Sequence, residues 1–368
     1  MYNCTYGKRG KIMAHSESIK ISAHPNLYNG KSGRELRIDF SLPTQGTNSE
    51  TGIVVFVPGF GGNVDSKVYK KMRETFADQY NLITMQCDYF GNRFMQGAKN
   101  ISIDQSKVKE ILSSDEFALV ADKKATILEL ITNKELTIQV AEDLQEDLDE
   151  FNDMGFMQAI DIITAIEALK IILVDNHIEF DTKRLIGYGH SHGAFLLHLC
   201  NKMYEPFSFI IDNSAWIEPL YLHENRQLFN RYENSKLLIE FDYIAKDIIK
   251  NKDNLNLFEI YKGFENKAQI LTFQGTDDNL VDYQEKIKLI NNISNAEYIL
   301  ITESDVDNIK YKSHQHGLDA DFLELFSYAL SFEKKARNEL VDKRKNFAIG
   351  DLEFILDTSQ GLPIFDID

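Results

Sequence analysis

The chain has 368 residues, with 40 Lys and Arg against 57 Asp and Glu, a formal charge of −17. Hydrophobic residues make up 43 %, charged residues 26 %, and Pro occupies 6 positions, the composition of a globular chain rather than a disordered or collagen-like one. That charge speaks against a nucleic-acid grip, which needs a basic face, and against anionic membrane surfaces. The basic runs Lys334–Lys335 with Arg337, and Lys343–Arg344–Lys345, are short and read as solvated faces.

Cys4, Cys87 and Cys200 are far apart and form no C-x-x-C pair, so neither a zinc ribbon nor a redox pair is indicated. Residues 1–13 carry basic side chains without an apolar segment behind them, and no apolar run of about 18 residues occurs, so a cytoplasmic protein is expected. Length alone allows two domains or one enlarged α/β domain.

In chain order, residues 18–23 and 35–41 alternate about a Gly-containing turn at 29–33, the pattern of an antiparallel edge pair. Residues 53–57 are a continuous apolar run, expected of a strand buried on both faces, and end at Pro58-Gly59-Phe60-Gly61-Gly62. A helix pattern over 66–79 precedes a strand at 82–87, which closes on Asp88-Tyr89-Phe90-Gly91. Residues 98–150 read as charged and helical, with the acidic tract 142–147 a solvated helix face. Asn152 and Asp153 are placed to cap a long helix whose apolar face includes Phe156, Ile160 and Ile163.

Strand 184–187 then leads into Gly189-His190-Ser191-His192-Gly193, with a helix over 194–203 directly behind it. Strand 207–211 precedes a mostly helical excursion over 216–263, then strand 269–273 and the loop Gly275-Thr276-Asp277-Asp278-Asn279-Leu280-Val281. A helix through 285–293 and a strand at 297–302 lead to Ser313-His314-Gln315-His316-Gly317, a helix over 319–333 and a strand-like 352–356. Alternating strands and helices predict a mostly parallel sheet with helices on both faces.

The chemistry is concentrated in the G-x-S-x-G between a strand and a helix. A nucleophile at such a turn is held in a strained conformation and needs small neighbours two residues away on each side. The helix N-terminus behind it aims positive charge at an oxyanion. With this motif the chain resembles the α/β-hydrolase superfamily, whose order of nucleophile, acid and histidine it repeats. The resemblance covers about residues 53–333 and implies Ser191 as nucleophile, Asp278 in a G-x-x-D-x-x-V loop as acid, and His316 before Gly317 as base. Asp277 and His314 remain the alternatives. It also implies an oxyanion hole from the N–H groups of Phe60 and His192. The segment from Asp88 to Arg93, with Gln96-Gly97-Ala98, resembles a bacterial group of α/β-hydrolases often associated with flagellin-glycan loci.

His190, Arg93 and Trp216 are the candidate substrate-binding residues. Arg93 is expected to pair with an acidic substrate group, or with Asp88 or a nearby loop. The aromatics of 216–263 line a pocket or fasten a lid to the core. The pairs His190/His192 and His314/His316 raise a metal reading, but a Ser inside the first pair and its flanking glycines favour the hydrolase turn, so no metal and no cofactor is expected. The expected organisation is 1–50 as N-terminal strands joining the sheet and 51–335 as the core, with insertions 98–150 and 216–263, the latter a lid. Residues 336–368 form an extension.

The function implied is a serine hydrolase cleaving a carboxylic ester through an acyl-enzyme, acting on a small-molecule or glycan-linked acyl substrate. The alternatives are an O-acyltransferase or deacylase acting on a sugar, a serine peptidase, or a non-catalytic binding protein with this fold.

Overall fold

Two hexapeptides, β3 (Gly52–Val57) and β4 (Leu82–Cys87), are buried along their whole length, as strands covered by helices on both faces must be. In β3 the side chains part by the pleat: Ile53, Val55 and Val57 face one apolar cluster, Val54 and Phe56 the other. The computed structural model describes residues 14–132, 134–232, 234–334 and 344–367. The segment 1–13 with Cys4, and Lys335, Arg337 and Lys343 of the basic runs, lie outside the described residues.

Before these strands come β1 (His15–Ser22) and β2 (Glu35–Leu42), paired antiparallel. α1 (Lys67–Tyr80) connects β3 to β4. Next follow β5 (Ile101–Ser102), α2 (Gln105–Ile111), α3 (Ser114–Ala121), α4 (Ile127–Thr132) and β6 (Thr137–Glu142). The chain re-enters the core with α5 (Phe156–Asp175), β7 (Leu185–His190), α6 (His192–Tyr204) and β8 (Phe209–Asn213). It leaves again through β9 (Arg226–Tyr232), β10 (Ser235–Phe241), α7 (Ala245–Ile248) and α8 (Leu257–Tyr261). The core closes with β11 (Gln269–Gly275), α9 (Tyr283–Asn291), β12 (Ala296–Ile301) and α10 (Phe322–Leu330), followed by β13 (Arg344–Ile349), β14 (Leu352–Asp357) and β15 (Ile364–Ile367).

Among the described residues, eight strands form the central sheet in the order β1-β2-β4-β3-β7-β8-β11-β12. From β4 to β12 the neighbours are parallel, while β2 pairs antiparallel with β4. α1 and α10 cover one face, where Phe76 stacks on Phe326 with centroids 4.2 Å apart. α5 and α6 pack together on the other face. α5 is buried on nearly all sides, packed on α6, β2 and β4, and at its first residue Phe156 meets Phe354 of β14 at 5.1 Å. No helix of the described residues is long and apolar enough to cross a membrane.

The two excursions are helical only in part: α2, α3 and α4 lie in the first and α7 and α8 in the second, but each also contributes strands. β5, β6, β10 and β9 form one four-stranded sheet, so segments about a hundred residues apart build a single structure. Its buried side chains alternate with period two, Ile138 and Val140 on β6 against Leu237, Ile239 and Phe241 on β10. The tract 142–147 is not a helix face either: Glu142 ends β6, and Glu146 accepts the backbone N–H groups of Asn152 and Ile244 at 2.8 and 2.9 Å. The long helix begins at Phe156, not beside Asn152; Asp153 still accepts the Met157 N–H at 2.7 Å.

Candidate active site

Ser191 stands between β7 and α6 at φ 55° and ψ −123°, a positive-φ conformation rarely taken by a side-chain-bearing residue. The turn persists because its surroundings over-determine it. The Ser191 N–H donates to Asn213 O on β8 at 2.8 Å, and Ser191 O accepts from Ala194 and Phe195. The flanking glycines are required by close approach: a Cβ on Gly189 would lie 2.4 Å from Ala194 Cα, and one on Gly193 2.1 Å from Val57 O. α6 therefore sits hard against β3 and β7 with its N-terminus under the Ser191 side chain.

His316 lies on the loop after β12. Its Nε2 is 2.7 Å from Ser191 Oγ and its Nδ1 is 2.9 Å from Asp278 Oδ2. The ionised Asp278 only accepts, so Nδ1 carries the proton and Nε2 is left to accept from the Ser191 hydroxyl. Asp278 accepts from four donors: Leu280 N–H at 2.8 Å and Val281 N–H at 3.0 Å on Oδ1, Gln274 Nε2 at 2.8 Å and His316 on Oδ2. Its side chain is wholly buried, which raises the pKa, but the His316 hydrogen bond and charge, with the Leu280 and Gln274 bonds, leave it below the ordinary carboxylate value. Asp277 and His314 stand outside this line: Asp277 N–H donates to His314 O, and His314 Nδ1 lies 3.2 Å from Thr276 Oγ1.

The loop after β3 closes over the same point. A Cβ on Gly59 would lie 3.1 Å from both His190 O and Ser191 Cβ. Among the described residues the backbone N–H of Phe60 donates to no protein acceptor, and that of His192 opens α6, where a helix leaves its first N–H groups unpaired.

His190 and His192 point apart. The His190 ring lies 5.4 Å from Phe322 and 6.3 Å from His316, and burial lowers its pKa to about 4, with a further decrease from the neighbouring His316 charge. His192 turns into the core, where Nε2 meets Gln158 Oε1 at 2.7 Å. Burial lowers its pKa to about 3, so it is neutral at pH 7. Gln158 spends its amide on Phe90 O and Asn152 Oδ1, which makes His192 Nε2 the protonated nitrogen. Among the described residues no three His, Cys, Asp or Glu side chains converge as a metal site requires.

Trp216 is buried and packs at 5.0 Å on His192 and 5.3 Å on Phe60. Tyr221 crosses Phe60 edge-on at 5.0 Å. These rings form one aromatic cluster against His192, and Ser191 itself is 6 % exposed. Phe241 and Tyr243 are buried, whereas Phe229 is 70 % exposed and lines nothing. Arg93 faces outward and pairs with Glu150 at 3.1 Å, with its guanidinium over Phe94, rather than facing Ser191 or pairing with Asp88. Sequence reasoning missed three residues. Asn213 and Ser214 join the turn to the histidine loop, Ser214 Oγ accepting the Gly317 N–H at 3.1 Å. Arg226 is buried over the Phe60 ring, 5.1 Å from its centroid. No local motif marks any of them.

Six parallel strands, a strained Ser turn before a central helix and a facing acid–His pair define an α/β-hydrolase fold. The chain belongs to the family described as "Protein of unknown function (DUF2920)", whose model matches residues 21–224. No curated protein sequence matches it. Among solved structures it resembles an acylaminoacyl peptidase in complex with Z-Gly-Gly-Phe-chloromethyl ketone, at 14 % identity and TM-score 0.50, over 89 % of this chain and 43 % of that one. It also resembles Est1E from Butyrivibrio proteoclasticus bound to ferulic acid, at 13 % identity and TM-score 0.42, over 80 % and 92 %. A cold-adapted esterase from an Arctic intertidal metagenomic library matches at 9 % identity and TM-score 0.45, over 91 % and 100 %. The chain thus spans less than half the length of that peptidase, and at these identities the likeness is one of fold.

Proposed function

We propose that this protein is a serine hydrolase that cleaves a carboxylic ester through an acyl-enzyme. The observation that carries the reading is the unbroken line Ser191 Oγ, His316 Nε2, His316 Nδ1 and Asp278 Oδ2, with spacings of 2.7 and 2.9 Å across its two hydrogen bonds. Ser191 Oγ attacks the acyl carbon as its proton passes to His316 Nε2. Asp278, held by its four donors, keeps the imidazole in the tautomer that accepts this proton and stabilises the imidazolium. The N–H groups of Phe60 and His192 take the charge developing on the carbonyl oxygen. His316 then returns the proton to the departing alcohol, and water, activated by the same nitrogen, releases the acid.

A series of p-nitrophenyl acyl esters tests this. Turnover is expected with the native chain, and Ser191→Ala is expected to lower kcat by roughly 10⁴-fold or more. No turnover across the series, or an equal rate in Ser191→Ala, contradicts the reading. Added sugar or alcohol acceptors separate hydrolysis from acyl transfer by the products formed.

A further inference from the structure

Arg226 opens β9 and is 6 % exposed. Nη1 is held by Met95 O at 3.0 Å, Gln96 O at 3.1 Å and Tyr243 Oη at 3.4 Å. The guanidinium lies between two rings, 5.1 Å from the Phe60 centroid and 4.8 Å from that of Phe241. Among the described residues no Asp or Glu forms an ion pair with it, and Nε and Nη2 donate to no protein acceptor. Glu240, on the strand paired with β9, is engaged elsewhere, accepting from Asn225 at 3.0 Å and from Gln139 at 3.1 Å.

Burying a cation is costly unless a counter-charge compensates it. A chain with 57 acidic residues leaves this one facing carbonyl oxygens and ring faces, which orient a guanidinium without cancelling its charge. Such a group is prepared for an anion from outside the chain, and its planar fork suits a carboxylate.

The position follows from Phe60. One edge of its ring meets His192 at 5.2 Å, next to Ser191, and Arg226 covers its face. Trp216 and Tyr221 complete this wall, and none of these rings touches His316, beside which the leaving alcohol must depart. The wall therefore belongs to the acyl side. Resting on the hydrolase reading for where the carbonyl sits, we propose that Arg226 binds a carboxylate at the far end of the acyl group, so that the preferred substrates are monoesters of dicarboxylic acids.

The test compares p-nitrophenyl hemiglutarate with p-nitrophenyl pentanoate, which have equal chain length and differ in terminal charge. The native chain is expected to favour the acid ester in kcat/KM by about tenfold or more, and Arg226→Gln to reduce that ratio by about tenfold, chiefly through KM. Arg226→Lys is expected to retain part of the preference. A native ratio of one or below, or a ratio unmoved in Arg226→Gln, overturns the proposal. Should Arg226→Gln fail to fold, glutarate on the native chain decides: competitive inhibition stronger than that by the uncharged pentanamide, and weakened by salt, supports it, and parity overturns it. Calorimetry of glutarate on Ser191→Ala needs no turnover. Binding there without ester hydrolysis by the native chain rejects the hydrolase reading and keeps the anion site, whereas pentanoate turnover without acid preference does the reverse.

Discussion

Asp278→Asn is expected to lower kcat on a short p-nitrophenyl ester by about 10⁴-fold while leaving the fold intact. The reason is donor counting. Oδ1 of Asp278 accepts two backbone N–H groups and Oδ2 accepts Gln274 Nε2 and His316 Nδ1. An Asn that keeps its oxygen on the backbone pair turns an NH₂ toward two further donors. The histidine relieves this conflict by moving its proton to Nε2, which then donates toward Ser191 and can no longer act as a base. The opposite Asn orientation abandons Leu280 and Val281 instead. Steady-state kinetics with a parallel melting curve check this; a loss below about tenfold with an unchanged melting temperature would remove Asp278 from the reaction.

Gly193→Ala is expected to destabilise the protein by more than about 4 kcal/mol, or to prevent soluble folding. The added Cβ would stand 2.1 Å from Val57 O and 2.5 Å from Pro58 O, both backbone atoms at the end of a central buried strand. Neither can rotate away as a side-chain tip would. Relief requires α6 to shift from β3, which moves Ser191 and the Phe60 loop together. Gly97→Ala is the control: its Cβ meets nothing within 4 Å, and a change within about 0.5 kcal/mol is expected. Urea unfolding of both variants measures the difference.

The contrast between these positions explains what could be read from the residues alone. Ser191 and its glycines were legible because a strained strand-to-helix turn dictates small neighbours locally. Asp278 was legible because it bonds the N–H groups of its own loop, two and three residues on. The sheet that joins the two excursions was not, because β6 finds its partner a hundred residues away, Thr137 opposite Lys236. The period-two pattern of Leu237, Ile239 and Phe241 was present in β10, yet charged flanks and scattered Leu and Ile also suit a helix. Arg93 and Arg226 show the same limit. One sits in a motif-rich loop and turns to Glu150; the other sits in an unremarked stretch and is buried against Met95, Gln96 and Phe60. Local chemistry cannot tell which cation the fold brings inward.

The proposed reaction stands or falls on Ser191 as the nucleophile. The most direct measurement is treatment of the native chain with a fluorophosphonate, followed by intact mass and peptide mapping. One adduct per chain, on the peptide carrying Gly189-His190-Ser191-His192-Gly193 and lost in Ser191→Ala, is the expected result. No adduct, or one that persists in Ser191→Ala, would contradict it.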